Sequence, residues 1–243
     1  MCFHTSQIKT VKELEDFYNI DLYDDMAREA FDVPSYHLNG FVHPTMLIIP
    51  QEEPSKLVVG KWGIVPSNTE IEKIDAYYKK AVQYGGGLNA QSEKLFDHFI
   101  YKYSATAKRC IIPVTGFFEP HTYKSKKYPF LIEKKNKEII SLAGIYTIIE
   151  GLLTFSILTK QASPLFAKIH NKRKRQPILL NEEFTTQWLD NELRENQINE
   201  FIDHPYPDQH LETYPVSKAL FSPRENSNNE SILQKELYND LVF

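Results

Sequence analysis

The stretch YPFLIEKKNKEIISLAGIYTIIEGLLTFSILT, Tyr128–Thr159, decides the fold class. Three apolar runs rich in Ile, Leu, Phe and Tyr follow one another, each of strand length and far short of a membrane span. Lys135-Asn136 and Glu150-Gly151 supply turn signals between them, so the pattern predicts three strands in series, a β-meander. Just upstream, RCIIPVTGFFEP (109–120) reads as an apolar strand breaking into a loop. Further back, TMLIIPQEEPSKLVVGKWGIVP (45–66) reads as two strands around a Glu-Glu-Pro-Ser turn.

Helical patterns flank these strands. In TVKELEDFYN, Thr10 and Glu13 form a capping-box pattern, and Val11, Leu14 and Phe17 share one face. Ile71, Ile74, Tyr78 and Ala81 recur at helical spacing, and Gly85–Gly87 stop that helix. QSEKLFDHFIYKY is helix-like. In SPLFAKIHNK, Ser163 stands at the N-cap and Pro164 at the first helical position. PILLNEEFTTQWLDNE predicts a strand and then a helix. With no repeat and no linker between two cores, the chain reads as one α+β domain over residues 1–222. The Asn-, Ser- and Glu-rich tail, 223–243, packs on that domain or frays from it.

Composition narrows the function classes. No apolar run and no N-terminal flank marks a membrane span or a secretory signal. Two cysteines, Cys2 and Cys110, are too few for a disulfide framework or a zinc site, which points to a reducing cytoplasm; separately, no metal and no organic cofactor is expected. The net charge of -4 argues mildly against nucleic acid, although a local basic groove can coexist with an acidic remainder.

The polar candidates are individually weak. A glutamate such as Glu119 commonly points at water, but partial burial beside Phe117 and Phe118 would raise its pKa toward neutrality. His170 closes an apolar helix, where a histidine often serves the helix dipole. Asn89 follows three glycines, where asparagine often makes a turn. The basic run from Lys172 to Arg175 is either a solvated turn or a phosphate-binding patch beside His170. Lys124, Lys126 and Lys127 read as surface, Trp62 as core, and Cys110 as a small buried hydrophobe.

Together these segments resemble the SRAP family (SOS-response-associated peptidase domain), whose human and bacterial members shield abasic sites in DNA. The resemblance rests on the Met-Cys start, WGIVP (62–66), LNAQSE (88–93) and RCIIPVTGFFEP (109–120). It continues through SLAGIY (141–146), FSILT to KIHN (155–171) and YPVSK (214–218). It implies a compact α+β domain with a distorted β-barrel-like antiparallel sheet and a basic groove for single-stranded DNA. It further implies Cys2 as nucleophile, Asn89 as its partner, Glu119 as acid/base and His170 as second catalytic group. His4, Gln91, Thr159 and Arg175 then lie along the DNA. The expected partner is single-stranded DNA carrying abasic sites, met by a monomer, with the replication machinery as a further candidate.

The implied chemistry explains a cysteine at position 2. Removal of Met1 would leave an α-amine and a thiol on adjacent carbons. The amine condenses with the ring-opened abasic aldehyde, and the thiol then closes a thiazolidine intramolecularly. The resemblance thus implies a DNA–protein crosslinking, lyase-like protein of the DNA damage response, with autocatalytic removal of the first residue. Two other readings stay open: a thiol peptidase or amidase of the N-terminal-nucleophile kind, and a non-catalytic single-strand-binding module. The chain also departs from the family's usual residues. Phe3 and His4 replace Gly-Arg, Gln91 replaces an arginine, Pro120 replaces a tryptophan, and Asn68 and Thr69 stand where an aromatic wedge is usual. His4 can supply a positive charge only when protonated.

Overall fold

The computed structural model describes residues 2–243. Its strands are β1 His4–Gln7, β2 Asp21–Leu22, β3 Ser35–Asn39, β4 Thr45–Pro50, β5 Lys56–Trp62, β6 Asn89–Gln91 and β7 Arg109–Val114. They continue as β8 Gly116–Tyr123, β9 Lys126–Lys134, β10 Ile140–Ile149, β11 Leu152–Gln161, β12 Arg175–Pro177, β13 Leu179–Leu180 and β14 Leu211–Pro215. Neighbours β11, β10, β7, β4 and β5 are joined antiparallel. A parallel pairing of β5 with β11, Trp62 opposite Phe155, closes them into a five-stranded barrel. A second, open sheet runs in the order β14-β9-β8-β1-β3.

The barrel is filled from every strand. Ile48, Trp62, Cys110, Ile112, Tyr146 and Phe155 share one buried cluster, with the Trp62 and Phe155 rings stacked at 6.4 Å. Trp62 is therefore core, and its indole N–H is satisfied by the Leu88 carbonyl at 2.9 Å. Gly87 permits the close passage beside it. Its φ is +70°, and a Cβ would stand 2.4 Å from the Ile64 carbonyl oxygen.

The predicted meander breaks at its first turn. β9 pairs with β8 and β14 in the open sheet, whereas β10 pairs with β7 and β11 in the barrel. Lys135–Ile139 is thus a corner between sheets. Apolar residues cover both faces of β9, so its sequence has no alternation to reveal which sheet it joins. The hairpin instead joins β8 to β9 through Lys124 and Ser125, at φ 45° and 64°. That is the backbone of a two-residue primed turn without its usual Asn or Gly. Glu119 consequently lies within a strand rather than in a loop. The helix-like reading of QSEKLFDHFIYKY also shrinks: Gln91 ends β6, Ser92–Lys94 is a single 3-10 turn, and the helix spans Tyr101–Ala107.

The flanking helices follow their signals. The capping box holds on Val11–Tyr18, with Thr10 accepting from the Glu13 N–H and Glu13 accepting from the Thr10 N–H. Ile74–Ala81 runs into a 3-10 turn and ends at three glycines with positive φ. Pro164–Ile169 starts after Ser163 and delivers His170 at its C-cap. Tail residues touch the open sheet: Asp240 accepts from Tyr128 and Lys126 at 2.8 Å, and Phe243 packs on Phe130.

Candidate active site

Cys2 enters the site because β1 is inserted between β8 and β3. The β1–β8 register pairs His4 with Phe118 and Ser6 with Gly116. Carried back two residues, the same register sets Cys2 level with Pro120, beside Glu119. The Cys2 side chain is fully buried, its thiol 3.7 Å from the His4 carbonyl. Its own carbonyl accepts from the Asn89 amide Nδ2 at 2.8 Å. Asn89 comes from β6, laid parallel to β11 with Asn89 opposite Ile157. Its Oδ1 is buried with no hydrogen-bond partner among the described residues.

Glu119, in β8, is fully buried, and its Oε2 lies 3.2 Å from His170 Nδ1. Two features aim that imidazole. The Arg175 carbonyl lies 3.2 Å from the same Nδ1. Asn171 brackets Thr122, accepting from its N–H at 3.0 Å and donating to its carbonyl at 2.8 Å, which ties the helix end to the strand carrying Glu119. Burial sets the protonation. It pushes the Glu119 carboxyl up to about 7 and holds His170 down to about 4. Burial, reinforced by Glu119, also pushes the Cys2 thiol well above its usual range. Near neutrality the pair is a carboxyl able to keep or give a proton beside a neutral imidazole, next to a protonated thiol.

A cleft of about 740 Å³ reaches this cluster at His170, with Phe3, His4 and Pro120 also in its lining. Lys127, Lys172 and Arg173 contribute cations, while Phe41 and Phe221 contribute rings. The basic run therefore divides: Lys172 and Arg173 face the cleft, whereas Arg175 is engaged elsewhere. Arg175 pairs with Glu93 at 2.5 and 2.9 Å and donates to the Thr159 carbonyl at 2.7 Å and to its hydroxyl at 3.1 Å. Thr159 is fully buried, and Gln91 lies half-buried opposite it in the β6–β11 register. His4 lines the cleft, but burial holds it down to about 3, so it brings no positive charge near neutrality.

The structure brings Cys2, Asn89, Glu119 and His170 together, whereas Thr159, Gln91 and Arg175 form a neighbouring network with Glu93. Met1, whose removal the capture chemistry requires, lies outside the described residues. The sequence reading missed Asn171, Glu93, His37, Phe41 and the tail residues of the cleft. The Asn directly after His170 was the available signal for the first of these. The others are assembled by contacts between distant segments. Among the described residues no group of three His, Cys, Asp or Glu is placed to hold a metal ion, and no helix is long and apolar enough to cross a membrane.

The chain is 29% identical over 220 residues to abasic site processing protein YoqW of Bacillus subtilis (strain 168), covering 84% of this chain and 92% of that one. It is 24% identical over 197 residues to abasic site processing protein HMCES of Xenopus tropicalis, covering 70% of this chain and 55% of that one. A crystal structure of a Bacteroides thetaiotaomicron protein superposes with a TM-score of 0.85 at 26% identity, covering 97% of this chain and all of the other. A Bordetella bronchiseptica protein shares the fold, with a TM-score of 0.72 at 19% identity over 89% of this chain and 100% of that one. The sequence model described as SOS response associated peptidase (SRAP) matches residues 1–223, and the chain belongs to that family.

Proposed function

We propose that this protein processes abasic sites in single-stranded DNA by covalent capture through Cys2. The observation that carries the reading is the buried Glu119–His170 pair at 3.2 Å beside the Cys2 thiol, beneath a cleft bearing Lys127, Lys172 and Arg173. The names of the relatives, abasic site processing proteins, support the substrate.

Once Cys2 leads the chain, its α-amine attacks the aldehyde carbon of the ring-opened sugar and forms a carbinolamine. Glu119, held near neutral pKa, gives the proton that lets the hydroxyl leave as water, and an imine results. The thiol then adds across the C=N bond. Sulfur bonds to carbon and the proton passes to nitrogen, closing a five-membered thiazolidine. His170 relays protons with Glu119, and Asn89 holds the Cys2 carbonyl so that amine and thiol keep one orientation. Lys172 and Arg173 attract the phosphates, which position the strand without reading its sequence.

The state of the thiol favours aldehyde capture over peptide hydrolysis. A peptidase of the thiol class needs a ready thiolate, and burial beside Glu119 opposes one here. The test is intact-mass analysis before and after mixing with a uracil-containing oligonucleotide treated with uracil glycosylase. The expected product lacks Met1 and carries the oligonucleotide minus one water. A chain that gains no mass overturns the reading, and turnover of peptides without any DNA adduct would replace it with the peptidase reading.

A further inference from the structure

A second chain of polar contacts enters the cleft from the other side of β1. His4 Nδ1 lies 2.8 Å from His37 Nε2, and His37 Nδ1 lies 2.6 Å from Ser227 Oγ. The His37 backbone N–H also donates to Asn228 Oδ1 at 3.1 Å. Ser227 is held firmly, because its segment is anchored by Leu220 and Ile232, which are buried in one cluster with Phe118 and Leu131. The His37 ring meets Phe118 edge-on at 5.8 Å, and the His4 ring packs at 5.6 Å from Phe221. His4, His37, Ser227 and Asn228 all line the cleft that His170 lines.

This arrangement couples what His4 can offer to the direction of the Ser227 hydrogen bond. With Nδ1 committed to His37, Nε2 is the ring nitrogen left for a ligand. When the Ser227 hydroxyl donates to His37 Nδ1, His37 Nε2–H donates to His4 Nδ1, and His4 Nε2 must carry a hydrogen. Burial keeps both histidines uncharged near neutrality. An uncharged N–H on the wall of a cleft that also bears Lys127, Lys172 and Arg173 suits an oxygen acceptor on the bound strand.

Resting on the DNA reading above, we propose that His4 donates through Nε2 to a phosphate oxygen of the strand beside the captured sugar, and that His37 and Ser227 are positioning residues that fix its tautomer. The C-terminal segment from Leu220 to Ile232 is thereby a working wall of the site. Its larger part, from residue 224 on and including Ser227 and Asn228, lies beyond the residues that the family's sequence model matches.

The test measures affinity for an oligonucleotide carrying tetrahydrofuran, an abasic analogue with no aldehyde, alongside imidazole nitrogen NMR of the DNA-free protein. His4→Ala should weaken binding by about tenfold and Ser227→Ala by about threefold, the range of a single hydrogen bond. Ser227→Thr should restore it, and the His4→Ala/Ser227→Ala double variant should bind no worse than His4→Ala alone. The NMR spectrum of wild type should show His4 as one tautomer, and Ser227→Ala should turn it into a mixture. Additive losses in the double variant, or a His4 tautomer indifferent to Ser227, overturn the proposal. His37→Asn, which keeps a polar side chain, repeats the measurement should Ser227→Ala lower the melting temperature. A wild-type chain that shows the single tautomer but ignores the oligonucleotide overturns the DNA reading and the ligand contact, and leaves the tautomer relay standing.

Discussion

The two cysteines are equally inaccessible and chemically unlike. Cys2 and Cys110 are both fully buried, and burial pushes both thiols well above their usual range. Cys110 sits in β7 inside the barrel, opposite Gly144 of β10 and packed among apolar side chains. Cys2 lies just ahead of β1 in the open sheet, where a carboxyl, an imidazole and an amide converge. Burial alone therefore says nothing of reactivity. What separates the two thiols is whether the groups that can move a proton share the cavity.

The largest expected effect breaks the pair apart directly. Cys2→Ala should abolish covalent capture of abasic single-stranded DNA, and Cys2→Ser should be nearly as damaging because an oxazolidine is far less stable. Cys110→Ala should keep the wild-type adduct yield by intact mass. A Cys2→Ala protein that still crosslinks would end the distinction. Next in size, Glu119→Gln should slow imine formation roughly 10²-fold, the usual share of a general acid. Rapid-quench time courses at the wild-type rate would remove Glu119 from the chemistry.

A third experiment reads the same carboxyl through stability. Glu119 titrates at about 7 in the fold against 4.5 ordinarily, so between those values the folded state binds the extra proton and stability falls as pH rises. Glu119→Gln escapes that loss. Its stability relative to wild type should rise by on the order of 3 kcal/mol between pH 4.5 and 7, measured by denaturant unfolding. A constant difference across that range would mean that the carboxyl is not held protonated. The smallest effect belongs to the inert thiol: Cys110→Ala should cost about 1–2 kcal/mol of stability through lost packing. Cys2→Ala should leave capture absent whatever its own stability.

Much of this was legible in the chain. The capping box at Thr10 and Glu13, the glycine stop after Tyr84 and the Ser163-Pro164 helix start are local signals, and local geometry obeyed them. The strands around the Glu-Glu-Pro-Ser turn paired as read. Sheet membership was hidden because β9 and β10 are apolar on both faces, so no alternation marks the corner at Lys135–Ile139. Lys124-Ser125 makes a hairpin with residues that seldom take positive φ, and for that reason Glu119 was read into a loop. At the site, Cys2, Asn89, Glu119 and His170 were reached through family resemblance and not through any single motif. His37, Ser227 and Glu93 were out of reach because their partners lie 33, 190 and 82 positions away in sequence.

The pairing of β1 on both sides carries a last implication. His4 is matched with Phe118 on one flank and Asn39 on the other, so the strand has no freedom to slide. Side chains of an extended segment alternate between faces, and adding one residue between Cys2 and His4 would turn the sulfur away from the carboxyl while leaving every sheet bond in place. If Cys2 captures as proposed, the distance along the backbone from the strand to its thiol works as a ruler, and a length of two residues sets the chemistry.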